Sequence, residues 1–244
     1  MYQAAAELFS RVAGDAADCR GVFRVALSGG KTPEALFRLL SQHSFKLLPW
    51  EMTEVYWVDE RYVPSGHAES NYRMARELLL ERVPIPPDCV HPMPTGSGEP
   101  QRDAAAYETI LRAAFPGEAW PVFDLALLGL GDDGHTASLF PGQPALSEKA
   151  RWVVASRSPK GIPDRITLTV PAIDHARSVA FLVSGAAKAT VLREAYRAVR
   201  PRADIPATLI RPAAGRLLFL ADRAAVAPAP PVKPPESEEA QGHV

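Results

Sequence analysis

Short apolar runs alternate along the chain with stretches in which apolar residues recur at helical spacing. The runs Phe23–Leu27, Val55–Val58, Phe123–Leu128, Trp152–Ala155, Ile166–Val170, Val179–Val183, Thr208–Ile210 and Leu217–Leu220 predict strands. Several are apolar at every position, the pattern of parallel strands covered on both faces. Helical periodicity predicts helices over Ala4–Cys19, Pro33–His43, Ser70–Arg82, Asp103–Phe115 and Ala186–Val199. Thr32 followed by Pro33 reads as a helix cap with proline at the first helical position. Strands alternating with helices imply an α/β fold built on an open, mostly parallel sheet with helices on both faces.

Composition narrows this picture without redirecting it. The chain has 244 residues, 47% apolar, 8% aromatic and 23% charged, values ordinary for a globular domain able to bury its own core. With 27 basic and 28 acidic residues the net charge is −1, so no nucleic-acid or membrane-surface partner is expected. Any anion must be held by a local cluster. Cys19 and Cys89 are isolated thiols outside any metal-ligand pair, which fits a reducing compartment. Glu7, Arg11 and Asp15 interrupt the only candidate signal segment, and the apolar run Val122–Gly131 is too short to span a bilayer. A cytoplasmic location is expected. From Val226 the proline-rich and acidic composition predicts a disordered tail, leaving residues 1–225 as one domain and 226–244 outside it.

Ligands of open α/β sheets bind beyond the carboxyl ends of the strands, and polar, glycine-rich loops stand there in this sequence. In Ser28-Gly29-Gly30-Lys31-Thr32-Pro33, paired glycines and a helix start suit a phosphate, although a tight strand–helix turn needs the same residues. Asp59-Glu60-Arg61 places three charges at the end of a buried strand, which is costly unless they are paired or used. In Ser70-Asn71-Tyr72, Ser70 reads as a helix cap, and Asn71 is either a site residue or part of that cap.

Gly129, Gly131 and Gly134 match the spacing of a dinucleotide-binding loop, but Asp132 and Asp133 set negative charge where a pyrophosphate would lie. A nicotinamide-dependent dehydrogenase is therefore disfavoured. His135, two residues after Asp133, suits a general base oriented by a carboxylate. Lys188 lies in the first turn of a helix, where a cation opposes the dipole unless an anion sits nearby; a solvated lysine is the alternative. Arg165, at a strand start, is either a second cation of that site or a surface arginine. His43, His67, His91 and His175 lack ligand spacing, so no metal is expected, and no G-x-S-x-G element signals a nucleophilic serine.

At these positions the chain resembles the 6-phosphogluconolactonase family. The matching segments are Ser28–Pro33, Val58–Pro64, Ser70–Tyr72, Gly129–Pro141, Arg165–Thr167 and Ser184–Lys188, in the family's order. The resemblance implies a Rossmann-like sheet, a sugar-phosphate lactone as the small-molecule partner, and no cofactor. It also implies a phosphate on Ser28, Gly29, Gly30 and Thr32 with Lys188 and Arg165, and places Asp59 and Asn71 in the cleft. His135 would activate water, Asp133 would orient it, and Arg61 would clamp the substrate or stabilise the oxyanion. Sister glucosamine-6-phosphate deaminases carry a glutamate shortly after the histidine; Ser138-Leu139-Phe140-Pro141 has no carboxylate there, which favours the lactonase. A non-catalytic sugar-phosphate sensor is the rival of another class, and the retained Asp133 and His135 weigh against it. A monomer or small homo-oligomer is expected.

Overall fold

The computed structural model describes residues 1–227. The tail expected from Val226 therefore lies, beyond Ala227, outside the described residues. The elements are α1 Tyr2–Arg20, β1 Phe23–Leu27, α2 Lys31–Leu40, β2 Thr53–Trp57, β3 Asp59–Arg61, α3 Asn71–Leu78, α4 Pro100–Ala114 and β4 Leu125–Gly129, followed by β5 Val153–Arg157, β6 Asp164–Leu168, α5 Val170–Asp174, β7 Ser178–Val183, α6 Ala189–Arg197, β8 Arg216–Ala221 and α7 Arg223–Val226.

Five strands form a parallel sheet in the order β2-β1-β4-β7-β8, with helices packed on both faces. The apolar runs account for it: Val25, Leu27, Tyr56, Trp57, Leu125, Leu127, Val179 and Phe181 are all buried. Each such side chain contributes roughly 1.5–3 kcal/mol on leaving water. The chain moves from β1 to β2 on one side, then returns to β4 on the other. The sheet therefore reverses its direction of growth between β1 and β4, where such sheets open a crevice for ligands.

A second, antiparallel sheet, β3-β6-β5, joins the first at Val58. The Val58 N–H donates to Leu27 O at 2.9 Å, and its carbonyl accepts from Leu168 N at 2.8 Å. The parallel sheet thus holds fewer of the expected strands than the alternation suggested, because Val153–Ala155 and Ile166–Leu168 belong to this smaller one, and Val170, expected in a strand, opens α5. Asp59-Glu60-Arg61, read as a strand-end loop, is itself β3.

Other local expectations change for physical reasons. Thr208–Ile210 is not a strand: Pro206–Leu209 is a 3-10 turn, in which Thr208 Oγ1 turns back to Ile205 O and Ala207 N–H donates to Gly134 O. The cap expected at Thr32 is displaced, since Gly30, at φ 102°, occupies the cap and the helix begins at Lys31. The helix expected over Ser70–Arg82 breaks at Leu79 into α3 and a 3-10 turn at Leu80–Arg82. Ala186–Val199 likewise begins as a 3-10 turn, Ala186–Lys188, before α6. No described helix is long and apolar enough to cross a membrane.

Candidate active site

The carboxyl ends of β1, β4 and β7 and the facing edge of the small sheet enclose a cavity of about 500 Å³. Ser28, Gly29, Gly30, Thr32, Asp59, Arg61, Asn71, Asp133, His135, Arg165 and Lys188 all line it, so every expected site residue meets at one place. Lys31, Ser138, Phe140 and Lys160 also line it and were not singled out from the sequence. Lys160 sits in the β5–β6 loop, whose approach to the cavity follows from a non-local strand pairing.

The first wall grows from β1. Ser28 Oγ donates to Leu127 O at 2.7 Å, tying β1 to β4 just beyond their ladder. Gly29 is required by contact: a Cβ there would lie 1.7 Å from Asn71 Oδ1. No side chain caps α2, and the N–H groups of Lys31 and Thr32 have no backbone acceptor among the described residues. Free amides and the positive end of a helix dipole thus face the cavity together.

The second wall comes from β3 and the start of α3. Glu60, 2% exposed, accepts from the N–H groups of Arg61, Asn71 and Tyr72 and from Ser70 Oγ. Burial raises its carboxyl from the ordinary value, and those three N–H bonds work against the rise. Glu60 points away from the cavity and serves to seat Asn71. Ser70 Oγ caps α3 by accepting from Arg73 N at 3.1 Å, as the sequence indicated. The Asn71 amide donates to Asp59 O at 2.9 Å, while its buried Oδ1 has no partner. Asp59 Oδ2 accepts from Ser138 Oγ at 2.7 Å, fastening this wall to the histidine loop.

Arg61 and Arg165 face each other across the β3–β6 ladder. Arg61 donates to Glu69 O and Arg165 to Ile162 O, and neither forms an ion pair among the described residues. Burial lowers the Arg165 pKa; Asp59 counteracts this and Arg61 adds to it. A guanidinium remains positive at neutral pH despite such a shift.

The histidine loop follows β4. His135 Nδ1 lies 2.5 Å from Asp133 Oδ1, which also accepts the His135 N–H at 3.1 Å. Burial pushes the Asp133 carboxyl up, but the bonds from His135 outweigh it and hold the carboxyl below its ordinary value. The imidazole packs on Phe140, ring centroids 4.5 Å apart, and over Gly131, where a Cβ would lie 2.0 Å from Nδ1. Three sides of the ring are thereby fixed. Nε2 makes no hydrogen bond among the described residues. Ala137 follows at φ 49°, a left-handed conformation costly for alanine, and the turn it makes carries Ser138 to Asp59.

Lys188 enters from the loop after β7. Asp222 clamps that loop, accepting from Ser184 Oγ and the Gly185 N–H. Lys188 Nζ lies 2.5 Å from Asp132 Oδ1, so the cation expected to await an anion already has a protein partner. Lys31, Arg61, Lys160, Arg165 and Lys188 against Asp59 and Asp133 leave the lining predominantly positive. Among the described residues no group of three or more His, Cys, Asp or Glu side chains is arranged to hold a metal.

This geometry has known counterparts. Residues 1–219 match the family model described as glucosamine-6-phosphate isomerases/6-phosphogluconolactonase. A 6-phosphogluconolactonase of Synechocystis sp. is 47% identical over 208 residues, 84% of each chain. One from Mycobacterium tuberculosis is 44% identical over 225 residues, 89% of each chain. Among solved structures, the 6-phosphogluconolactonase from Trypanosoma cruzi superposes with a TM-score of 0.82 at 34% identity, covering 92% of this chain and 90% of that one. The chain belongs to the glucosamine-6-phosphate isomerase/6-phosphogluconolactonase family.

Proposed function

We propose that this enzyme hydrolyses 6-phospho-D-glucono-1,5-lactone to 6-phosphogluconate, the lactone-opening step of the oxidative pentose phosphate pathway, with water activated by His135. Its high identity to 6-phosphogluconolactonases over most of the chain supports the reaction. One observation carries the mechanism: Asp133 occupies Nδ1, leaving Nε2 as the ring nitrogen able to accept a proton in the cavity.

A carboxylate on Nδ1 selects the tautomer with the proton there and the lone pair on Nε2. Water held by Nε2 gives up a proton as its oxygen attacks the lactone carbonyl carbon. The carbonyl oxygen gains the charge, and Arg61, with no carboxylate partner among the described residues, is the donor suited to meet it. Collapse of the tetrahedral intermediate breaks the bond to the ring oxygen. That oxygen takes the proton back from Nε2 and leaves as a hydroxyl, so the histidine ends neutral; the new carboxylic acid, which keeps the second proton of the water, then ionises to solvent as the carboxylate.

The 6-phosphate docks on the amide groups of Gly29, Gly30 and Thr32, with Lys188 and Arg165 as cations. Ser28 shapes this loop through its bond to Leu127, and Asp59 and Asn71 form the wall beside it. Fixing a remote dianion orients the lactone over the histidine, which can supply much of the rate gain.

The test is lactone disappearance, with substrate formed in situ from glucose 6-phosphate at slightly acidic pH in the presence of a chelator. Acceleration of the phosphorylated lactone, with little for unphosphorylated gluconolactone, is the expected result. No acceleration of either rejects the reading.

A further inference from the structure

The phosphate-site reading leaves one charge unexplained. Asp132 is the carboxylate next to Asp133, yet its side chain does not line the cavity. It is 70% exposed, and its one polar partner among the described residues is Lys188, whose side chain is 24% exposed. The ion pair therefore spans the cavity rim, with the cation inside and the anion outside. Free solvation would suit so exposed a carboxylate equally well, and nothing in the fold needs it to be acidic. What it does is neutralise Lys188, the least exposed of the lysines that line the cavity.

We propose that Asp132 is a displaceable counter-ion that makes Lys188 selective for a dianionic phosphoryl group. The inference rests on the reading that Lys188 meets the substrate phosphate. A neutral hydroxymethyl group cannot replace a carboxylate on an ammonium, and a monoanion gains little by a one-for-one exchange. A phosphate dianion brings a second charge and three acceptor oxygens, which the α2 amides and Arg165 can share. Asp132 thus lowers the affinity for every anion but lowers it least for the phosphorylated substrate. In this role it determines specificity and takes no part in the chemistry.

The experiment measures KM for the phosphorylated lactone and inhibition by inorganic sulfate in Asp132→Asn, Lys188→Ala and the double variant. An exposed ion pair sets the scale: sulfate should inhibit Asp132→Asn about two- to fivefold more strongly, with KM falling by a smaller factor. Both gains should vanish when Asp132→Asn is made in the Lys188→Ala background. Unchanged or weaker sulfate inhibition in Asp132→Asn overturns the inference. A raised KM would instead make Asp132 a substrate contact, which also overturns it. If Lys188→Ala alone leaves KM and sulfate inhibition unchanged, the phosphate-site reading fails. If Lys188→Ala weakens both and Asp132→Asn strengthens neither, the counter-ion role alone fails.

Discussion

Arg61 and Arg165 occupy directly opposed positions of an antiparallel ladder, two cations paired where like charges repel. Arg165 is 8% exposed and neither guanidinium has a carboxylate partner among the described residues. A fold gains nothing from this arrangement by itself. An anion entering the cavity would turn repulsion into a clamp, which is the physical sense of leaving the pair uncompensated.

Replacing Arg165 with methionine, of similar length and no charge, should therefore separate stability from function. The melting temperature is expected to hold or rise, because a buried unpaired charge is removed. KM for the phosphorylated lactone should rise about tenfold or more, the loss of one charge-assisted contact. Thermal melts together with saturation kinetics check both halves; a lowered melting temperature with unchanged KM would make Arg165 a structural residue.

Gly131→Ala tests how tightly the imidazole is placed. The backbone there is not left-handed, so alanine is conformationally allowed, and the three atoms nearest the added Cβ belong to the His135 and Asp133 side chains. Turnover should fall on the order of 10²-fold, the scale of an ångström of misplacement. The melting temperature should change little.

Asp133→Asn removes the carboxylate charge that selects the His135 tautomer while keeping the side chain's shape. A loss in kcat on the order of 10²-fold or more, with KM nearly unchanged, is expected from steady-state kinetics. A loss confined to KM would mean that Asp133 touches substrate and leaves the histidine alone.

The fold's pH dependence has an identifiable source in Asp174. Burial pushes its carboxyl up to about 6, against the Arg211 N–H it accepts at 2.6 Å and the nearby His175 and Arg211 charges. A carboxyl raised in the folded state favours folding while protonated, and that contribution is lost as pH rises from the ordinary carboxylate range through about 6. Asp174→Asn, which keeps an acceptor for Arg211, should raise the melting temperature by about 3 °C at pH 8 and leave it unchanged near pH 4. Calorimetry at the two pH values decides it.

The strand ends and glycine loops were legible because a buried parallel strand must be apolar throughout and its loops must not be. Phe23–Leu27 is read to the residue. Asp59-Glu60-Arg61 was legible as chemistry and illegible as structure. Three charges do not look like a strand, and β3 exists only because β6, a hundred residues later, pairs with it. Thr208–Ile210 failed in the opposite way: Thr208 and Ile210 are buried, but Pro206 starts a 3-10 turn whose Ala207 N–H donates to Gly134 O. The gathering of Arg61, His135, Arg165 and Lys188 into one cavity was expected from motifs alone. The Lys188–Asp132 pair was not, since adjacent acids after β4 gave no hint of which one would turn to the rim.

His135→Asn bears most directly on the account. Asparagine cannot take a proton from water, yet it preserves the loop's bulk and polarity. With the lactone formed in situ and spontaneous opening subtracted, kcat should fall about 10²- to 10⁴-fold while product binding, measured with 6-phosphogluconate, persists. Near-normal turnover in this variant would contradict a histidine base and leave the water to be activated by another group.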